Sequence, residues 1–314
     1  MPNLFFRKKV LLVETESTYG VDPTPVAADA IVTSNLSITP YDGPTVQKVI
    51  DRPSLGNYES VNVSPRVVVS FDVYLAGSGA AGTAPNYSKA LLACGLAETV
   101  TPSTEVEYDP ISDSFDSATL YFYHDGNRHI VAGARGNVAI NMAAGELPKL
   151  TFTFTGRYLD PTATTLISGA PVNEGDVVAI TNQNTPTFSL FGYAAAAFVS
   201  LNIDLANQVA VENIPNLNEI FISDRAPAGT VVFLEEDIGS QDWYAATRSD
   251  NGVTTGVLSL IHGTAAGGII EIDAPAIQLS NPQKGERNSL STLSFDLALL
   301  PTVADNDELK LTIR

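Results

Sequence analysis

The same order of short β-rich segments occurs twice along this chain of 314 residues. The first series is 120–124, 130–131, 138–140 and 150–154, and the second is 258–262, 269–270, 277–279 and 293–297. Earlier segments correspond more weakly: 36–38 with 201–203, and 69–71 with 231–233. Solenoid repeats have periods of about 20–50 residues. This longer period instead predicts two copies of a small domain, and such pseudo-symmetry indicates a ring or a barrel.

Apolar and polar residues alternate through most of these segments, which predicts half-buried β-strands. The clearest case is 67–75. Two short segments, Tyr87–Cys94 and Gln241–Arg248, predict helices at equivalent places in the two series. We therefore expect an all-β fold, of sandwich or barrel type, with one short helix per unit. The expected division is a first unit at 1–165, a linker at 166–185 and a second unit at 186–314.

The charge balance limits the classes of partner. Lys and Arg number 17 and Asp and Glu number 35, so the net charge is −18. Tight binding to a phosphate backbone needs clustered cations, so this excess argues against a protein that grips nucleic acid. It suits a surface past which a polyanion moves without sticking.

Further features concern compartment and membrane. No apolar run approaches the roughly 18 residues of a membrane span, and Val10–Val13 is shorter than the roughly 7–15 residues of a secretory signal. The single cysteine, Cys94, excludes an internal disulfide and is typical of a reducing cytoplasm. Its Ala-Leu-Leu-Ala neighbourhood predicts a buried side chain.

The sequence lacks a recognisable constellation of catalytic or metal-binding residues. Gly77–Gly82 matches G-x-G-x-x-G, but Pro85-Asn86 delays the helix past the last glycine. We therefore predict a flexible surface loop there rather than a dinucleotide site. Two further groups lack the spacing of a metal site: His124 with His129, and Asp109 with Asp113 and Asp116. We expect no enzyme activity, no cofactor and no metal.

Two long polar stretches interrupt the strand pattern, Asp42–Ser64 and Ala206–Arg225. They occupy matching places in the two series. Loops of this length in a compact domain are usually functional or disordered. Their matching positions favour a function.

The N-terminal segment carries the most specific resemblance to known proteins. Residues 14–25 (ETESTYGVDPTP) and 33–40 (TSNLSITP) are similar to the major tail tube proteins of long-tailed bacteriophages. The same family order continues in a strand at 66–75, a helix end at 91–95 and a strand at 152–156. The likeness covers most of 1–162. The second series keeps the strand order but departs from the residue motifs.

The resemblance implies two packed sheets per unit and rings that stack into a tube, with one sheet of each unit in a closed barrel around the lumen. It implies a virion tail component, assembled in the cytoplasm of the bacterial host, with no catalytic residues and no membrane partner. The implied partners are other copies of the chain, the tail terminator, the tape measure and the distal tail protein. Double-stranded DNA passes through the lumen without specific binding. Most members form hexameric rings of single units, so the duplication implies three chains per ring.

In the family resembled, the long loop at Asp42–Ser64 reaches the neighbouring ring. Both polar stretches are therefore predicted to take part in ring stacking. The candidate residues are Asp42, Asp51, Arg52, Tyr58, Glu59, Glu212, Asn213, Asp224 and Arg225. Asp51 and Arg52 lie in the middle of the first stretch, where charge-assisted contacts to another ring are expected.

The alternative hypothesis is a carbohydrate-binding β-sandwich module of a phage tail tip or spike. Such a site needs aromatic side chains at loop tips. Tyr41, Tyr58 and Tyr244 are scattered along the chain, and Trp243 is the only tryptophan. Electron microscopy distinguishes the two hypotheses, since only the first predicts rings or filaments with a central hole.

Overall fold

The computed structural model describes residues 3–250 and 252–314, which form an all-β protein with two short α-helices. The strands of the first half are β1 (Lys9–Thr15), β2 (Ala30–Ile31), β3 (Ser34–Asp42), β4 (Thr45–Gln47), β5 (Ser60–Asn62), β6 (Arg66–Tyr74), β7 (Leu96–Thr101), β8 (Glu105–Pro110), β9 (Ala118–His124), β10 (Asn127–Ala143), β11 (Lys149–Tyr158) and β12 (Thr162–Ala163). Those of the second half are β13 (Thr187–Leu190), β14 (Phe198–Asp204), β15 (Asn207–Ile214), β16 (Leu217–Arg225), β17 (Ala228–Leu234), β18 (Gly256–His262), β19 (Ile270–Arg287), β20 (Leu290–Leu299) and β21 (Lys310–Ile313). Helices α1 (Ser88–Leu92) and α2 (Trp243–Thr247) lie within the two segments predicted to be helical.

Eight antiparallel strands form one continuous sheet through both halves, which we call the common sheet. Their order is β3-β6-β11-β10-β14-β17-β20-β19. The first four strands come from the first half and the last four from the second, and both sets follow the same internal order. At the junction of the two sets, Ala139–Ala143 of β10 pair with Ser200–Asp204 of β14.

Two smaller sheets pack against the common sheet. One has the order β2-β1-β9-β10, and the other has the order β13-β18-β19-β21-β8-β7. Strands β10 and β19 belong to both layers because each contains a bulge, and a bulge bends its strand. In β10 the register shifts between Ala132 and Arg135. Gly133 lies in this bulge at φ +60°, and a Cβ there would come within 2.8 Å of the Tyr19 ring, so only glycine fits.

The apolar side chains between the layers form one core that continues through both halves. Phe71 stacks on Phe152 at 5.2 Å in the first half, and Phe233 stacks on Phe295 at 5.9 Å in the second. Strands of the two halves also pair directly at β10–β14 and β8–β21. Neither helix is long and apolar enough to cross a membrane, and the same holds for every helix in the described ranges.

The two polar stretches both contain β-hairpins. The first hairpin pairs β4 with β5, and the second pairs β15 with β16. The interpretation of Ala206–Arg225 as an interruption of the strand pattern is wrong, because its strands pair from Asn207–Arg225 to Ile214–Leu217. Pro215 and Asn216 form the turn, and Asn216 has φ +70°, as the third residue of a type II turn requires.

The glycine-rich segment after β6 is fixed by contacts with two other segments. The amide of Gly79 donates to the Gly267 carbonyl at 3.0 Å, and the amide of Gly175 donates to the Gly77 carbonyl at 2.9 Å. The prediction of a flexible surface loop is wrong for Gly77 and Ser78, which are buried.

Residues 166–185 are all described, and this range contains no helix or strand. His262 connects it to β18. The His262 Nδ1 lies 2.9 Å from the Thr185 hydroxyl, and its Nε2 lies 3.2 Å from the Val178 carbonyl oxygen. Burial lowers the pKa of His262.

Candidate assembly surfaces

The face of the common sheet that points away from the core carries small polar side chains. They include Ser37, Ser70, Asn137, Asn141, Thr151, Thr153, Asn202, Thr230 and Ser294. Three aspartates, Asp72, Asp204 and Asp296, and one lysine, Lys149, also lie on this face. Negative charge predominates among these four residues. Four arginines on this face have hydrogen-bond partners of their own: Arg66, Arg135, Arg157 and Arg287.

Side chains of the polar face are hydrogen-bonded to one another across strands. Asp72 accepts hydrogen bonds from Asn35 Nδ2 at 2.7 Å and from the Thr151 hydroxyl at 2.9 Å. Asn141 Nδ2 donates to Thr151 at 3.2 Å, and Asn202 Nδ2 donates to Asn141 Oδ1 at 2.5 Å. This network crosses five strands and includes the junction between the two halves.

The sequence reasoning missed the polar face, although a signal for it was present. In β11, Thr151, Thr153 and Thr155 alternate with the apolar residues of the core face. Polar residues at alternate strand positions normally indicate only a solvated face. The signal therefore marks exposure, and it does not by itself mark a function.

The common sheet has two open edges. In the described residues 3–250 and 252–314, β3 pairs with β6 alone, and residues 283–287 of β19 pair with β20 alone. Open strand edges tend to pair with other chains, and natural edges often carry proline or lysine for protection. Pro282 and Lys284 lie on the β19 edge.

The second hairpin lies on the first half of the chain. Val209 pairs with Ile222 and Val211 with Ile220, so these four apolar side chains share one face. Ile220 is fully buried and Ile222 is 7% exposed, and β16 packs against β10 and β11. Burial of such side chains stabilises a contact by about 1.5–3 kcal/mol each.

Arg135 of β10 anchors the second hairpin. Its guanidinium donates to the Ile220 carbonyl at 2.7 Å, the Phe115 carbonyl at 2.9 Å and the Asp116 carbonyl at 3.3 Å. It also lies 3.1 Å from Glu219, and the Arg135 side chain is only 11% exposed. The fork of five N–H donors of an arginine suits this set of acceptors.

Tyr19 makes a second anchor. Its hydroxyl accepts a hydrogen bond from the Ile220 amide at 2.7 Å and donates to the Gly133 carbonyl at 3.3 Å. Arg135 and Arg157 lie 5.1 and 5.8 Å from the centre of its ring, within the range of cation–π contacts. Burial raises the pKa of Tyr19, so the hydroxyl keeps its proton at neutral pH.

The base of the second hairpin is also fixed. Asn207 Nδ2 donates to the Cys94 carbonyl at 2.6 Å. Arg225 Nε donates to Glu308 at 2.7 Å, and Arg225 donates to the Ile111 carbonyl at 2.5 Å. The side chains of Arg225 and Glu308 are 11% and 6% exposed. This ion pair is therefore largely buried within the chain.

The first hairpin has an apolar face that is largely exposed. Val46 pairs with Val61, so the two side chains lie on one face, and Val63 continues that face at the next alternate position. Val46, Val61 and Val63 are 57%, 61% and 47% exposed. The second hairpin buries the two isoleucines of its apolar face and half-buries the two valines, whereas the first hairpin presents its own apolar face to solvent.

A groove of about 740 Å³ lies beside the base of the second hairpin. The residues that line it are Ser112, Arg225–Ala228, Ala298–Pro301, Asp305, Asn306 and Glu308. Ala298 and Leu299 are the last residues of β20. Alanine, leucine and proline side chains predominate among the lining residues.

The predicted stacking residues fall on the two hairpins. On the first, a hydrogen bond from Arg66 at 2.8 Å lowers the pKa of Asp42, which places Asp42 in an ion pair at the hairpin base. Arg52 donates to the Asn57 carbonyl, and its guanidinium lies 5.0 Å from the Tyr58 ring. Asp51 and Glu59 are exposed.

On the second hairpin, Asn213 and Asp224 are exposed and Glu212 is half-buried. Arg225 instead holds the hairpin base against Glu308. Asn213 Nδ2 donates to the Val63 carbonyl at 3.3 Å, so the second hairpin reaches the base of the first. Their role in stacking stays a prediction.

Other sequence candidates lie in the interior. Trp243 is 2% exposed and packs 4.7 Å from Phe233, so it is not a surface platform for a sugar. Cys94 is fully buried as predicted, and burial raises the pKa of its thiol. In the part of the chain that is described, no group of three or more His, Cys, Asp or Glu side chains is placed to hold a metal ion.

The chain matches a known protein family. Residues 7–297 match the family model described as phage tail tube protein. The matched range covers both hairpins and almost all of the common sheet, and so spans both halves of the chain. No curated protein matches the chain.

Proposed function

Because the chain belongs to the phage tail tube protein family, we propose that it is the major subunit of a viral tail tube, and that its copies close into rings that stack around a DNA channel. The family is structural, so the protein acts as a virion component of the tail and not as an enzyme. The observation that supports the proposal most is the common sheet, which combines two open edges with a polar face that carries three aspartates.

The junction inside the chain suggests how two copies join. Ile140 of β10 pairs with Ile203 of β14. Lys284 of β19 corresponds to Ile140 of β10. Ile140 pairs with Leu150 of β11, and Lys284 pairs with Leu293 of β20, the residue matched to Leu150 by sequence. Ile38 is matched to Ile203 by sequence. We therefore place Lys284 opposite Ile38 of the next copy, which removes both open edges when the ring closes.

We propose three chains per ring. Each chain supplies two sets of four strands in the same order, so three chains give six pseudo-equivalent sets around one closed barrel. The two sets correspond to duplicated units at 1–165 and 186–314, joined by 166–185. A heterologous interface that repeats by the right rotation closes a ring. Fusion of two units makes half of these interfaces intramolecular and raises their effective concentration.

The polar face lines the lumen in this arrangement. Asp72, Asp204 and Asp296 repel the phosphates of DNA, so the genome passes without specific binding. The two hairpins lie at one end of the common sheet and form a rim that contacts the next ring. The tail terminator, tape measure and distal tail protein are the expected further partners, met during assembly in the host cytoplasm.

Electron microscopy combined with light scattering tests the proposal. We expect rings or tubes with a central hole, threefold true symmetry and a ring mass of about three times the 33.2 kDa of one chain. A protein that stays monomeric at high concentration, or rings of six chains, would contradict the proposed assembly. Binding to a glycan resin by discrete particles would support the carbohydrate-binding alternative.

A further inference from the structure

The two hairpins have the same place in the strand order but different surroundings. The first connects β3 to β6, and the second connects β14 to β17. Each carries one apolar face. That of the second is buried on the first half of the chain, whereas Val46, Val61 and Val63 of the first are about half exposed or more.

We propose that the apolar face of the first hairpin is buried on the second half of a neighbouring copy in the same ring, in the groove formed by Arg225–Ala228 and Ala298–Pro301. The occupant of the groove is thus a second copy of this chain. The inference rests on the proposed ring and adds a second contact to it, separate from the pairing of β19 with β3.

The direction in which the second hairpin extends supports a contact between neighbouring copies. It does not cover the strands that it connects. It extends over the preceding set, where β16 packs on β10 and β11 and Asn213 reaches the carbonyl of Val63. The first hairpin leaves from β3, which is the edge strand of the common sheet. A hairpin that extends the same way from β3 passes beyond its own chain, onto β19 and β20 of the next copy.

The groove occupies the place in the second half that corresponds to the surface covered by the second hairpin in the first half. The second hairpin crosses the ends of β10 and β11 and stops at the base of the first hairpin. The groove lies between the end of β20 and the base of the second hairpin, and it is about 740 Å³ in volume. Its alanine, leucine and proline walls match an apolar hairpin face. Leu55, fully exposed in the loop between β4 and β5, extends the apolar surface of the hairpin.

Cross-linking tests the position of the hairpin. A Val61→Cys/Ala298→Cys variant is treated with a short bis-maleimide and separated on a denaturing gel. The native Cys94 is fully buried and does not react. We expect cross-linked species that end at the number of chains counted in one ring by microscopy. The matched control is Ser60→Cys/Ala298→Cys, in which the cysteine lies on the opposite face of β5 and should react much less.

A charged substitution tests the energetics. Val61 is exposed in the single chain, so Val61→Asp should leave the monomer folded, as judged by circular dichroism. Burial of an unpaired carboxylate in the interface should raise the concentration needed for ring formation roughly tenfold or more. Ser60→Asp is the matched control and should assemble like the wild type.

Four outcomes would overturn the inference. If wild-type protein forms no rings, both the proposed function and the hairpin contact fail. If wild type forms rings and Val61→Asp forms them equally well, the hairpin contact alone fails. Rings of Val61→Asp that no longer polymerise, or cross-linked ladders longer than one ring, place the apolar face of the first hairpin against the next ring and not against a neighbour in the same ring.

Discussion

Loss of Arg135 should release the second hairpin from the first half of the chain. The Arg135→Met variant keeps most of the buried aliphatic stem but removes the donors to the carbonyls of Ile220 and Phe115, at 2.7 and 2.9 Å. Hydrogen bonds that involve a charged group contribute about 1.5–3 kcal/mol each. We expect the free energy of unfolding to fall by about 3–5 kcal/mol, since two such bonds are lost and their carbonyls are left without a donor.

Glu219 provides the matched control. It lies 3.1 Å from Arg135, but its own side chain is 37% exposed. Exposed ion pairs contribute about 0–1 kcal/mol, so Glu219→Gln should lower stability by less than about 1 kcal/mol. Arg135→Lys should fall between the two variants, because a lysine cannot reproduce the planar set of donors.

Urea unfolding of dilute monomer measures the total effect, and hydrogen exchange locates it. The melting temperature of Arg135→Met should fall by roughly 6–10 °C, at about 2 °C per kcal/mol for a chain of this size. Amides of Asn207–Arg225 should exchange faster while those of β20 keep their protection. Equal losses for Arg135→Met and Glu219→Gln, or unchanged exchange in the hairpin, would refute the assignment of Arg135 as its anchor.

Three further predictions concern pH, DNA and ring closure. Because burial lowers the pKa of His262, the unfolded chain binds this proton more readily. Stability should therefore drop as pH falls below about 6.5, and urea melts should show a smaller drop in His262→Gln. Asp72→Lys/Asp296→Lys rings should retain double-stranded DNA in a salt-dependent gel-shift assay, whereas wild type and Asp51→Lys should not. Amides of residues 283–287 should become protected from exchange when rings form; equal exchange in monomer and ring would argue against pairing at this edge.

The all-β class and the individual strands could be predicted because alternation is local information. Residues 67–75 alternate, and the structure has a strand at Arg66–Tyr74. The end of the first helix could also be predicted, because a glycine often ends a helix with a positive φ. Gly95 adopts φ +79° shortly after α1. These features depend only on neighbours along the chain.

Strand register could not be predicted, because it depends on partners distant in sequence. Residues 130–131 and 138–140 look like separate strands in the sequence. In the structure both belong to β10, which continues through the bulge around Gly133. Phe152 pairs with Phe71, whereas the matched Phe295 pairs with Val231. Sequence similarity instead matched Phe71 to Phe233, two residues after Val231.

The candidate surfaces were only partly readable. The sequence located both hairpin regions by their length and polarity, but not the burial of Ile220 or the exposure of Val61. Both are β-branched aliphatic residues in equivalent hairpins. Only the strands next to each hairpin decide that one side chain is buried and the other exposed. The acidic residues of the polar face were equally hidden, because the chain has 35 acidic residues and alternation does not choose among them.

In the proposed tube, the hydrogen bonds among side chains of the polar face have a consequence for motion along the channel. Asp72 already accepts from Asn35 and Thr151, so less of its capacity is left for a passing solute. Short side chains held by their neighbours cannot reach out and wrap around a phosphate as a free lysine does. A polymer moving over such a lining meets few deep energy minima and few barriers between them. Resistance to its passage then comes mainly from the viscosity of the water layer and not from repeated detachment.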